Sequence, residues 1–154
     1  MAEAMYHRGP DSHGIASLGE CLLVNARLAI VDLSERGRRP MSNAAGTVWI
    51  TYHGEAYNAA ELREQLIARG HQFRSTTDTE VVLQLYEEYG DCCVEAIRGR
   101  FALEIWDART SKLVLARDRM GIKPRYGVCT RPPAGGGDIT RCGAGKVRLT
   151  PGRQ

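Results

Sequence analysis

The chain reads as an α+β domain built on a largely antiparallel sheet. Three observations lead there. Short β-branched and apolar runs come first, two helical stretches follow, and a strand pair with strict alternation closes the series. Helices bunched between strands, rather than alternating with them, argue against a doubly wound parallel sheet. The 154 residues suit one domain with a real core. A charged fraction of 25% beside an apolar fraction of 43% is globular composition.

The elements follow in chain order. Residues 21–25 and 28–31 are short apolar runs suited to buried strands. Residues 47–52, Thr-Val-Trp-Ile-Thr-Tyr, are β-branched and aromatic, a strong strand signal. Residues 53–58 read as a β-to-α turn with Asn58 as helix N-cap. Leu62, Leu66 and Ile67 then share a helical face, and Gly70 supplies the stop. Residues 71–75 suggest a short strand. Thr77-Asp78-Thr79-Glu80 has the form of a capping box, which opens a helix carrying Val81, Val82, Leu85, Tyr86 and Tyr89 and closing at Gly90. Cys93, Val94 and Ile97 predict a shorter helix ending at Gly99. Phe101, Leu103 and Ile105 alternate with Ala102, Glu104 and Trp106, a turn follows at 107–111, and residues 112–117 return as the second strand of a hairpin.

Composition changes at Gly127. Residues 128–154 hold six Gly, three Pro and no Phe, Trp, Tyr or Glu, so they are expected to be disordered, leaving 1–127 as the domain. The net charge of +3 belongs to this tail: it holds five Lys/Arg against one acid, whereas residues 1–127 hold sixteen against seventeen. A near-neutral body argues against a nucleic-acid partner. No run approaches the roughly 20 apolar residues of a membrane span. Residues 1–8 lack a signal pattern, so a cytoplasmic location and reduced cysteines are expected. No Cys-x-x-Cys pair occurs, and no metal site is expected.

Four segments carry more polar punctuation than folding needs. His7-Arg8-Gly9-Pro10-Asp11-Ser12-His13-Gly14 reads as a loop suited to an anion or zwitterion, or as a charged surface turn. Arg27 opens an apolar run; it suits a bidentate hold on a carboxylate, or a strand-end side chain reaching water. His53-Gly54 after a strand has the layout of an oxyanion hole, or of an ordinary turn. Asp78 suits a substrate ammonium, or simply a helix N-terminus.

Taken together, His7-Arg8-Gly9-Pro10-Asp11, residues 27–32, residues 53–58, Thr77-Asp78-Thr79-Glu80, Gly99-Arg100-Phe101-Ala102 and residues 116–124 (Ala-Arg-Asp-Arg-Met-Gly-Ile-Lys-Pro) closely resemble the class II glutamine amidotransferase domain of glutamine-dependent asparagine synthetases. The resemblance covers residues 5–127. It implies an Ntn-hydrolase-like αββα four-layer sandwich of two antiparallel sheets, incomplete here at both ends. It implies hydrolysis of L-glutamine to supply ammonia to a synthetase domain that amidates aspartate with ATP and magnesium. No cofactor is implied for this chain, and a homodimer is possible in the parent family. Carried over, Arg27 would hold the glutamine α-carboxylate, with the run Leu28, Ala29, Ile30 and Val31 lining the pocket. The N–H of Gly54 and the side chain of His53 would form the oxyanion hole, and Glu55 and Asp78 would meet the α-amino group.

Three departures stand out. The family nucleophile is a cysteine exposed at the N-terminus, whose free amine is its base; this chain begins Met1-Ala2, so an inactive domain is expected. His53 stands where the family has Asn, and Ala56 where it has Ile. After Tyr126 the family pattern stops. Two other readings fit: a non-catalytic glutamine-binding or docking module, and a fragment without function.

Overall fold

In a computed structural model, residues 12–19, 21–27 and 40–122 are described, together with the backbone of residues 127–129, 139–142 and 149–151; for residues 12, 13, 26 and 27 the description is also of backbone. The first hairpin pairs β1 (Ser12–Leu18) with β2 (Cys21–Arg27), antiparallel from Ser12↔Arg27 to Leu18↔Cys21. The main sheet runs in the order β3 (Met41–Ser42), β4 (Val48–Ala56), β5 (Gly99–Asp107), β6 (Lys112–Arg117), β8 (Ile139–Cys142). Its first four strands are antiparallel, and β8 joins β6 in parallel. β7 (Gly127–Cys129) pairs with β9 (Leu149–Pro151). Helices α1 (Ala59–Ala68) and α2 (Asp78–Tyr89) lie between β4 and β5 in sequence, followed by a 3₁₀ turn at Gly90–Cys92 and the single-turn α3 (Cys93–Ala96). The fold is α+β, as the sequence predicts.

Period-2 patterning decides the main sheet. Val48, Ile50, Tyr52, Phe101, Leu103, Ile105, Val114 and Ala116 all point to one face and are buried against Val81, Val82, Leu85 and Tyr86 of α2 and Leu62 and Leu66 of α1. Tyr52 and Phe101 stack with ring centroids 6.3 Å apart. The β1–β2 hairpin meets the main sheet where β2 contacts β4.

Several expectations need correction. Residues 12–14 belong to β1 rather than to a loop; residues 7–11 lie outside the described residues, as do 28–31. The strand foreseen at 47–52 runs on to Ala56, because His53 to Ala56 find partners in Ala102 to Gly99 on β5; the turn is only Tyr57–Asn58. Ile67 is 54% exposed, so the buried stripe of α1 is Leu62 and Leu66 alone. Tyr89 is likewise exposed. Asn58 precedes α1 but makes no side-chain cap; its amide donates to Ala96 O and its Oδ1 accepts from Arg98 N, which ties the turn to the start of β5. Residues 71–75 form no strand. Thr77 does cap Glu80 N, but Glu80 does not complete the box on Thr77 N: its carboxylate bonds the amides of Arg74 and Ser75 instead. The third helix ends at Ala96, since Gly99 already pairs with Ala56. Three short strands occur beyond residue 126; the other residues there lie outside the described set.

One surface cluster gives a pH-dependent expectation. His71 meets Gln84 at 2.7 Å and Glu88 at 3.0 Å, and Arg69 reaches Glu88 at 2.9 Å. The Glu88 hydrogen bond raises the His71 pKa above its ordinary 6.5, and His71, then Arg69, lower that of Glu88 below 4.5. The raised imidazole contributes stability in full below 6.5 and loses it as pH climbs through its folded value. The lowered carboxyl contributes in full above 4.5 and loses it as pH falls through its folded value. Melting followed by circular dichroism is expected to show a decline above pH 6.5 that His71→Gln reduces; equal declines would mean that the pair contributes nothing. The effect is small, because the pair faces solvent.

Candidate functional site

The site residues gather at the α1 end of β4. The strand splits its side chains: Val48, Ile50 and Tyr52 enter the core, while His53 and Glu55 emerge, exposed, on the opposite face. Across the ladder, Glu55 lies opposite Arg100, whose guanidinium stands 3.4 Å from its carboxylate. With Glu55 60% exposed and Arg100 49%, this pair is loose and contributes little to stability. It leaves an acid and a base at the rim of the strand.

Gly54, between His53 and Glu55 in β4 and opposite Phe101 in the ladder, has φ +151°. A Cβ there would run into the carbonyl of Arg100 and lie 2.6 Å from Phe101 Cα. Gly99 is its counterpart: a Cβ there would run into Glu55 O. The two glycines let β4 and β5 approach closely at this end. Packing against β5 therefore demands glycine at position 54, whether or not a ligand also approaches.

Asp78 comes to the same place from another element. It is the first residue of α2, and its Oδ2 accepts from Ala56 N at 3.2 Å. That bond fastens the helix start to the strand directly after Glu55. Asp78 is thus fixed to the backbone of the residue that follows Glu55.

The loop before Asp78 is held from two sides. Buried Glu80, 2% exposed, accepts from Arg74 N at 2.8 Å and from Ser75 N and Ser75 Oγ at 2.6 Å. Arg63 of α1 donates to Ser75 O at 3.0 Å and Thr77 O at 3.1 Å, with its guanidinium 4.2 Å above the Phe73 ring. Sequence reasoning missed Arg63, and gave Glu80 a capping-box role in place of its loop partners. The available signals were an acid directly before the apolar run 81–83 and an Arg on α1; their loop partners are tertiary.

The backbone of Arg27 ends β2, opposite Ser12. Leu28, Ala29, Ile30 and Val31 lie outside the described residues. The structure ties Asp78 to β4 at Ala56, two residues after Gly54, places His53 and Glu55 together on the outer face of that strand and puts the Arg27 backbone at a strand end. A groove of roughly 580 Å³ lined by Met41, Trp49, Phe73, Arg74, Ser75 and Glu80 runs beside the loop that precedes Asp78 and includes none of these residues.

The described thiols are poorly placed for attack. Burial, then the charge of Glu104, pushes the Cys21 pKa up to about 11, so it stays protonated at neutral pH. Cys92 and Cys93 follow the C-terminal end of the twelve-residue α2, about 18 Å of helix from Asp78. Among the described residues no helix is long and apolar enough to cross a membrane.

Comparison with known proteins gives three findings. The family profile described as "Glutamine amidotransferase domain" matches residues 1–131. Asparagine synthetase [glutamine-hydrolyzing] 3 of Bacillus subtilis is 44% identical over 128 residues, and its namesake in Arabidopsis thaliana 41% over 126; each alignment covers 82% of this chain and 21% of the relative. The chain thus spans about a fifth of the length of these relatives. Among solved structures, glutamine phosphoribosylpyrophosphate amidotransferase from B. subtilis superposes on 67% of this chain and 24% of its own with a TM-score of 0.56 at 22% identity, a likeness of fold.

Proposed function

The chain belongs to the glutamine amidotransferase domain family, and from that premise we propose that its β4–α2 corner is the amino-acid end of a glutamine site. The observation that carries this is the bond from Ala56 N to Asp78 Oδ2, which fixes the helix acid at the residue after Glu55. Asp78 and Glu55 meet the α-ammonium of L-glutamine. Arg27 takes the α-carboxylate in a fork, and Leu28, Ala29, Ile30 and Val31 line the side-chain slot. The Gly54 N–H and the His53 side chain face the carboxamide carbonyl as oxyanion donors. The proposal is confined to recognition of glutamine by these residues and assigns no nucleophile to Cys21, Cys92 or Cys93.

The larger setting is part of the same proposal. We propose an αββα sandwich for the complete domain, supported by a main sheet with helices packed on its core face and a separate antiparallel hairpin. Kinship with asparagine synthetases supports a synthetase domain as the recipient of ammonia, with ATP and magnesium used there for amidation of aspartate and no cofactor on this domain. We also propose a cytoplasmic location and a dimeric parent.

Ligand-observed NMR with L-glutamine and D-glutamine tests the site. Charge-assisted bonds to both ends of the amino acid, offset by the cost of ordering ligand and pocket, give an expected Kd of about 1 mM. Asp78→Ala is expected to weaken binding roughly tenfold. Binding that ignores Asp78→Ala, or that does not distinguish the enantiomers, overturns the assignment.

A further inference from the structure

We infer that Arg63 and Glu80 are positioning residues that set ammonium recognition by Asp78, through opposed charged grips on the loop that precedes it; this rests on the glutamine reading above. The geometry is two-sided. Residues 73–77 carry no strand or helix pairing of their own, yet Asp78 must be aimed at Ala56 N. Glu80 takes the loop by its donors, the amides of Arg74 and Ser75 and the hydroxyl of Ser75. Arg63 takes it by its acceptors, the carbonyls of Ser75 and Thr77, and covers the Phe73 ring. Neither residue is expected to touch glutamine. The Thr77 hydroxyl, which caps Glu80 N and bonds the Ser75 hydroxyl, ties the two grips together directly before Asp78.

Charge and hydrogen-bond count explain why these residue types are needed. Only a carboxylate accepts from both amides without presenting a donor. A glutamine at position 80 would turn an NH₂ toward an N–H. Only a guanidinium reaches two carbonyls while lying flat on an aromatic ring; a lysine keeps the charge and loses the fork. Any displacement of the loop passes to the first turn of α2, and so to the direction in which the Asp78 carboxylate points.

The test separates positioning from general support. L-glutamine and 4-carbamoylbutanoate, the same molecule with hydrogen in place of the α-amine, are titrated against the full chain by NMR. Asp78→Asn fixes the floor of discrimination and is expected to lower the preference for glutamine about tenfold. Glu80→Gln and Arg63→Met are expected to lower it at least about threefold while leaving the analogue's Kd within about twofold, with Arg63→Lys intermediate. Arg63 is half-buried, so its variants carry the test even if Glu80→Gln fails to fold. Wild-type preference in Arg63→Met, or equal weakening of both ligands, overturns the positioning role. An Asp78→Asn protein that keeps full preference instead overturns the glutamine reading beneath it, and this inference falls with it.

Discussion

Gly54→Ala is expected to destabilise the domain by about 3 kcal/mol or more, a large fraction of the stability of a protein of this size. Two costs combine. The residue sits at φ +151°, which L side chains rarely adopt, and the new methyl would overlap the Arg100 carbonyl. The obstacle is backbone in a paired strand, so no rotamer relieves it. Gly99→Ala meets the carbonyl of Glu55 in the same manner and is expected to rank second. Gly46→Ala is the control: φ is +69° but nothing lies within 4 Å, so only the conformational cost of about 1 kcal/mol remains. Urea denaturation of the three variants checks the order. Equal losses at 54 and 46 would show that the close approach of β4 and β5 is not the cause.

Asp118→Ala is expected to cost about 3 kcal/mol. Asp118 is 3% exposed, and its two oxygens accept from Phe101 N at 3.2 Å and Ile122 N at 3.1 Å. Its own N–H donates to Phe101 O at 2.8 Å. The carboxylate thus ties the exit of β6 to the residue facing Gly54. Removing it strands the buried Phe101 amide and releases that of the more exposed Ile122, and an unsatisfied buried donor costs more than the bond it once made contributed. Asp118→Asn should fall between, since its oxygen serves one amide while its NH₂ opposes the other. A shift in the urea midpoint at constant slope confirms loss of stability. A midpoint within a few tenths of a molar of wild type would contradict this account.

How far the sequence could be read depended on where each residue's partner lay. The β5–β6 hairpin was legible because its alternation and turn are local. Thr77 as a cap was legible for the same reason. Position 54 was misassigned to a turn because Gly and Glu punctuate locally, whereas the strand there is completed by residues more than forty positions away. Residues 71–75 resembled a strand because Phe73 stands between polar residues; Arg63 and Glu80 hold them otherwise, and neither partner shows in a short window. Ile67 was misjudged because apolarity was counted without knowing how wide a stripe of α1 the core would accept. Asp78 was placed correctly at the start of α2 because its capping motif is local. The grip of Arg63 on the preceding loop, and of Glu80 on Arg74 and Ser75, was not legible, because those contacts are tertiary.

The β4–β5 ladder also has a kinetic consequence. It joins residues separated in sequence by 43 positions at Ala56↔Gly99 and 59 at Val48↔Asp107, with both long helices in the intervening loop. The hairpins β1–β2 and β5–β6 and the helices need only short closures and can form in microseconds. The long closure must meet its chain-entropy cost before any pair in that ladder is rewarded. Gly54 and Glu55 acquire their strand partners only in that step. The candidate site should therefore be absent from early species in refolding, and pulse-labelled exchange should protect the helical amides before those of residues 53–56.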